Sequence, residues 1–156
     1  VLVPPPGRPV RLLVGATEHP CVLHGHRFDA DRVEIIPVDS RGVVDLAWLG
    51  ARLARLDGEE VLVSVQAANN ETGVVQPIAA IAALVHAAGG RLHADAVQAA
   101  GKIPVEVGAL GADVLTLSAH KLGGPKGVGA IVHASDRGRA GGRLLRGGGQ
   151  ERGLRA

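Results

Sequence analysis

Aromatic residues are almost missing from this chain. Among 156 residues Phe28 and Trp48 stand alone, with no tyrosine and no methionine. The core must therefore be built from Ala, Val, Leu and Ile, with 23 glycines allowing close approach. Without aromatics there are no stacking platforms of the kind that single-stranded nucleic acid uses. The charge excess is also small, at +2, and the pI of 9.2 owes much to arginines near the C-terminus. No nucleic-acid partner is expected. Cys21 is the one cysteine, which excludes an internal disulfide framework and suits a reducing cytoplasmic setting. No apolar run approaches the roughly 18 residues of a membrane span. The longest, Ile78 to Val85, stops at His86, so no membrane association is expected.

Against these absences the chain shows a regular alternation. Short apolar runs predict strands at Arg11–Gly15, Val33–Val38, Glu60–Val65, Arg91–Ala94, Val114–Leu117 and Val128–Val132. The run at 60–65 is continuous and rich in valine, as expected of a strand buried on both faces. Between the runs lie helical signals. Pro20 to Ala30 is expected to be a helix. Asp45 caps a helix from Leu46 to Arg55, where Leu46, Leu49, Leu53 and Leu56 recur at helical spacing. Pro77 opens another helix and Gly89-Gly90 ends it. Strands alternating with helices predict an α/β fold with a mainly parallel sheet and crossover helices. An Arg/Gly-rich tail runs from Arg137 to Gly149.

The chemistry concentrates where two of these strands end. Ser118-Ala119-His120-Lys121 follows the run 113–117, and Leu122-Gly123-Gly124-Pro125-Lys126-Gly127 follows it. Strand ends beside glycine loops are where open α/β sheets place ligand chemistry. A lysine held there is a candidate for imine formation, although a lysine in such a loop can equally be a solvated charge. Asp95 follows the apolar strand at 91–94 and should point into the same region. Its plain alternative is a cap or turn residue. An aspartate facing a pyridine nitrogen and a lysine forming an imine are the two groups that a pyridoxal phosphate site needs most.

Five blocks in order carry a resemblance: Ala16-Thr17-Glu18-His19; Ala68-Asn69-Asn70-Glu71-Thr72-Gly73-Val74-Val75-Gln76; His93-Ala94-Asp95-Ala96-Val97-Gln98; Ser118-Ala119-His120-Lys121 with Gly124-Pro125-Lys126-Gly127; and Arg146-Gly147-Gly148-Gly149-Gln150-Glu151-Arg152-Gly153. Together they resemble the cysteine desulfurases of the class V aminotransferase family, which are fold-type I pyridoxal phosphate enzymes. The resemblance covers nearly the whole chain beyond residue 11. It implies that residues 1–156 form part of the large cofactor domain, without the N-terminal segment and the C-terminal small domain. The missing methionine and the Pro-rich opening agree with an internal piece of a longer protein, one expected to be inactive alone.

The resemblance also implies roles. Lys121 would bond to the cofactor aldehyde, exchange it for substrate and move protons. Asp95 would keep the pyridine nitrogen protonated, and Gln98 and Asn70 would hydrogen-bond the phenolic oxygen. His19 would stack on the ring and could move a proton. Ser118 and His120 would bind the phosphate. His93, two residues before Asp95, is read as supporting rather than part of the site. The catalytic cysteine of the family lies beyond residue 156, so Cys21 is expected not to accept sulfur. His19, Cys21, His24 and His26 are too crowded for the spacing of structural zinc, and no metal is expected. The implied reaction converts L-cysteine to L-alanine and an enzyme persulfide for a sulfur-acceptor protein in iron–sulfur cluster or thiocofactor assembly, by a cytoplasmic homodimer. Alternatives are a selenocysteine lyase, another class V aminotransferase-like enzyme, or a catalytically silent α/β domain.

Overall fold

The computed structural model describes residues 2–4, 9–56 and 58–134. The tail 137–149 and the block 146–153 lie outside them. Six strands form one sheet: β1 (Val10–Gly15), β2 (Val33–Ile36), β3 (Glu60–Gln66), β4 (Arg91–Asp95), β5 (Val114–Ser118) and β6 (Gly129–His133). Their order is β2-β1-β3-β4-β5-β6. All neighbours are parallel except β6, which runs antiparallel to β5 on the edge. The architecture is the α/β fold with a mainly parallel sheet that the alternation predicts.

Among the described residues four α-helices accompany it: α1 (Pro20–Leu23), α2 (Leu46–Ala54), α3 (Ile78–Ala87) and α4 (Val107–Leu110). Asp45 caps α2 as expected, its carboxylate accepting the Trp48 N–H at 2.9 Å. Leu49 and Leu53 of α2 and Ile78, Ile81 and Val85 of α3 pack on Val61, Val63, Val65, Leu92, Ala94 and Leu115. Full burial of such a side chain contributes about 1.5–3 kcal/mol. The opposite sheet face carries a smaller cluster, in which Val10, Leu12 and Val14 meet Val22 of α1 and Phe28. Arg52 and Arg11 both pair with Glu34, at 2.5 and 3.0 Å, tying α2 and β1 to β2. Among the described residues no helix is long and apolar enough to cross a membrane.

Two expectations need correction, and one helix is added. The helix expected over 20–30 is only four residues long. A Cβ at Gly25 would lie 2.0 Å from the Cys21 carbonyl oxygen, so glycine alone allows the turn that ends α1 there. The strand expected over 33–38 stops at Ile36, because Val38 pairs instead with Val44 in an isolated antiparallel bridge. Helix α4, which was not expected, spans one turn and ends at Gly111 in the left-handed region, φ 66°.

Candidate active site at the carboxyl edge of the sheet

The strand order reverses between β1 and β3: β1 connects to β2 on one side, and β3 starts the run to β5 on the other. Open α/β sheets bind ligands at such a point, beyond the carboxyl ends of the strands. The residues singled out from the sequence all lie along this edge. His19 follows β1, Asn70 follows β3, Asp95 ends β4 with Gln98 just after it, and Ser118 ends β5 with His120 and Lys121 in the next turn.

Each has a definite local setting. His19 is exposed and caps α1, its Nδ1 accepting the Cys21 N–H at 3.2 Å. In the β3 loop Asn69 Oδ1 accepts the Glu71 and Thr72 N–H groups, both at 2.8 Å, which leaves Asn70 exposed beside it. Gln98 accepts from Lys102 Nζ through both its backbone and side-chain oxygens, at 3.1 and 2.9 Å. Ser118 Oγ lies 2.8 Å from His120 Nδ1. Lys121 is exposed in a single 3-10 turn, Ala119–Leu122, closed by Gly123 at φ 81°. A residue with a Cβ would be strained there, so the glycine fixes where the turn carrying Lys121 ends.

Asp95 is half-buried, and its Oδ1 accepts the Val97 N–H at 2.9 Å and the Thr116 hydroxyl at 3.4 Å. The first contact is the turn role open to any aspartate. Among the described residues both of these bonds go to Oδ1 and none goes to Oδ2.

Sequence reasoning passed over Glu18, quoted within a motif but given no role. It is 4% exposed at the switch point between β1 and β3. Its Oε1 accepts the Gln66 N–H, while Oε2 is buried without a partner. Gln66 in turn donates to the Thr17 carbonyl, as does Asn69 at 3.1 Å, so the β1 and β3 loops are laced together. Burial pushes the Glu18 carboxyl up to about 8; the Gln66 N–H opposes this, and the Asp95 charge adds to it. The signal that could have found it is a charged residue three positions beyond the end of a buried strand.

This carboxyl makes stability fall with rising pH. The unfolded chain releases the proton near 4.5, and the folded chain holds it to about 8. Between those values the folded state binds more protons, so each pH unit removes about 1.4 kcal/mol through this group. Glu18→Gln keeps an acceptor for the Gln66 N–H and cannot titrate. Urea melts of the full-length protein should show the variant gaining on the parent steadily from pH 5 to pH 8. A difference independent of pH would mean that the carboxyl does not hold its proton.

Anion at β4, amine at β5, and hydroxyl and imidazole donors beside it form a mixed set along one edge. That chemistry fits pyridoxal phosphate, which has a basic ring nitrogen, an aldehyde and an anionic group. Among the described residues no group of three or more His, Cys, Asp or Glu side chains could hold a metal ion.

The fold and this edge define an α/β enzyme domain of the cofactor-binding kind. Residues 7–153 match the family profile for "Aminotransferase class-V", and the chain belongs to that family of pyridoxal phosphate enzymes. The "Cysteine desulfurase" of Klebsiella pneumoniae is 46% identical over 150 residues, covering 93% of this chain and 36% of that protein. Among solved structures, a NifS-like protein from Rickettsia africae aligns with a TM-score of 0.84 at 35% identity, covering 94% of this chain and 40% of that one. A structure described as "SspA in complex with cysteine" aligns at 0.79 and 31% identity, covering 95% of this chain and 42% of that one. The chain spans about a third of the length of the curated relatives it matches.

Proposed function

We propose that this chain is part of the large cofactor domain of a pyridoxal phosphate-dependent cysteine desulfurase. The observation that carries the reading is the placement of Asp95 at the end of β4 and Lys121 in the turn that follows the adjacent β5. Asp95 is in register with Thr116, five residues before Lys121, and the identity to named desulfurases spans both. Bound pyridoxal phosphate supplies an electron sink for charge developed at the substrate α-carbon. Lys121 Nζ is the amine that would hold the cofactor aldehyde and move a proton at the substrate α-carbon. Asp95 Oδ2 would favour positive charge at the pyridine nitrogen. Gln98 and Asn70 would hydrogen-bond the phenolic oxygen, His19 would cover the ring, and Ser118 with His120 would bind the phosphate.

The remaining step passes sulfur to a cysteine thiolate outside these residues, leaving L-alanine and a persulfide. Cys21 is poorly suited to that role. Desolvation, the dominant cause, and the Asp95 and Glu18 carboxylates hold its thiol above the usual value, which disfavours the thiolate. A homodimer in the cytoplasm, delivering sulfur to an acceptor protein for iron–sulfur or thiocofactor assembly, completes the reading.

The test is sulfide release from L-cysteine by the full-length protein with pyridoxal phosphate and a thiol reductant, against a blank without protein. Sulfide well above the blank, unchanged by Cys21→Ser, is expected. Selenide release from L-selenocysteine with no sulfide from L-cysteine would make the protein a selenocysteine lyase instead.

A further inference from the structure

A row of polar side chains crosses one face of the sheet's centre, where apolar ones would pack. Ser64 on β3 is in register with His93 on β4, and Asp95 on β4 with Thr116 on β5. His93 and Asp95 are two residues apart on one strand and so share a face. Ser64 is fully buried and His93 is 3% exposed. The distances run in sequence: Ser64 Oγ to His93 Nδ1 2.8 Å, His93 Nε2 to Thr116 Oγ1 3.1 Å, and Thr116 Oγ1 to Asp95 Oδ1 3.4 Å.

The directions of these bonds follow from counting protons. An ionised aspartate only accepts, so the single Thr116 proton goes to Asp95. Thr116 Oγ1 must then accept from His93, which requires the Nε2–H tautomer. Nδ1 is left as an acceptor for the Ser64 hydroxyl. A neutral ring is needed throughout, and burial keeps it so by pushing the His93 pKa down to about 4. Every member is satisfied, which is the condition under which a buried polar network is stable.

We propose that Ser64, His93 and Thr116 form a one-way donor chain that positions Asp95, loading Oδ1 so that Oδ2 faces the ligand as the ionised oxygen. The proposal rests on the assignment of Asp95 to the cofactor's ring nitrogen, but the chain can be read without the cofactor. His93 and Thr116 do not touch the ligand; they are positioning residues. Glu18 and Cys21 also feel the Asp95 charge, and among the described contacts neither hydrogen-bonds to it.

The first experiment is the ring tautomer. In the full-length protein labelled with 15N at histidine, long-range 1H–15N correlation at pH 7 should show His93 neutral with the proton on Nε2. The signal is identified by its loss in His93→Asn. A proton on Nδ1 would overturn the proposal, because Thr116 would then donate to the ring and could not reach Asp95. It would leave Asp95 itself in place as the partner of the ring nitrogen. The second experiment follows the Asp95 13C carboxyl signal and the His93 Nε2 signal at pH 7 in cofactor-free protein. Thr116→Val keeps the β-branched shape and removes the hydroxyl. It should shift both signals, because Thr116 Oγ1 lies between the two groups. Thr116→Ser should restore them. Signals unmoved by Thr116→Val would also overturn the donor chain. If that variant does not fold, the tautomer in the unmodified protein decides.

Discussion

Borohydride reduction of the full-length protein with bound pyridoxal phosphate should leave a pyridoxyl group on Lys121, and Lys121→Ala should abolish both the label and turnover. The lysines of the described edge differ in what they can reach. Lys102 Nζ is engaged by Gln98 through two oxygens. Lys126 sits in the exposed loop beyond Gly123, on the approach to β6 rather than in the turn that follows β5. Lys121 alone follows β5 directly, in a turn whose end is fixed by Gly123. Removing the group that both holds the cofactor and moves the proton should cost on the order of 10³ in turnover or more, equivalent to about 4 kcal/mol of barrier. Peptide mapping reads the first outcome and sulfide release the second. A label on Lys102 or Lys126 would move the chemistry off this turn.

What the sequence made legible follows from periodicity. The apolar runs at 11–15, 60–65 and 114–117 predict strands, and each is one, although in β5 only Leu115 is buried. The cap at Asp45 and the breaks at Gly89-Gly90 were legible because their chemistry is local. The segment 20–30 was not, since its end depends on Gly25 closing over the Cys21 carbonyl, a contact no spacing announces. Periodicity also gives a residue's face and not its neighbour across the sheet. His93 and Asp95 visibly share a face. That Ser64 meets His93, and Thr116 meets Asp95, requires the order β3-β4-β5 and its register. The antiparallel course of β6 was hidden for the same reason: an apolar run has no direction. The resemblance supplied residues one by one along the edge, and could not supply Glu18, whose burial arises only when the β1 and β3 loops meet.

Asp95→Asn is the sharpest test of how that edge works, because the structure separates its two roles. The Asn side-chain oxygen can still accept the Val97 N–H and the Thr116 hydroxyl, so the turn and the end of the donor chain survive. What disappears is the charge. Without it the ring nitrogen loses the partner that favours its proton, and the ring draws electrons from the substrate less well. Turnover should fall by a factor on the order of 100 or more, or at least about 2.7 kcal/mol of barrier. Cofactor binding should persist, since the contacts of Lys121, Ser118 and His120 are untouched. Glu18 should respond too: its carboxyl is held up partly by the Asp95 charge, so its pKa should drop in the variant. Near-normal turnover with that drop present would show that Asp95 is charged and structural, and that the ring nitrogen finds its partner elsewhere.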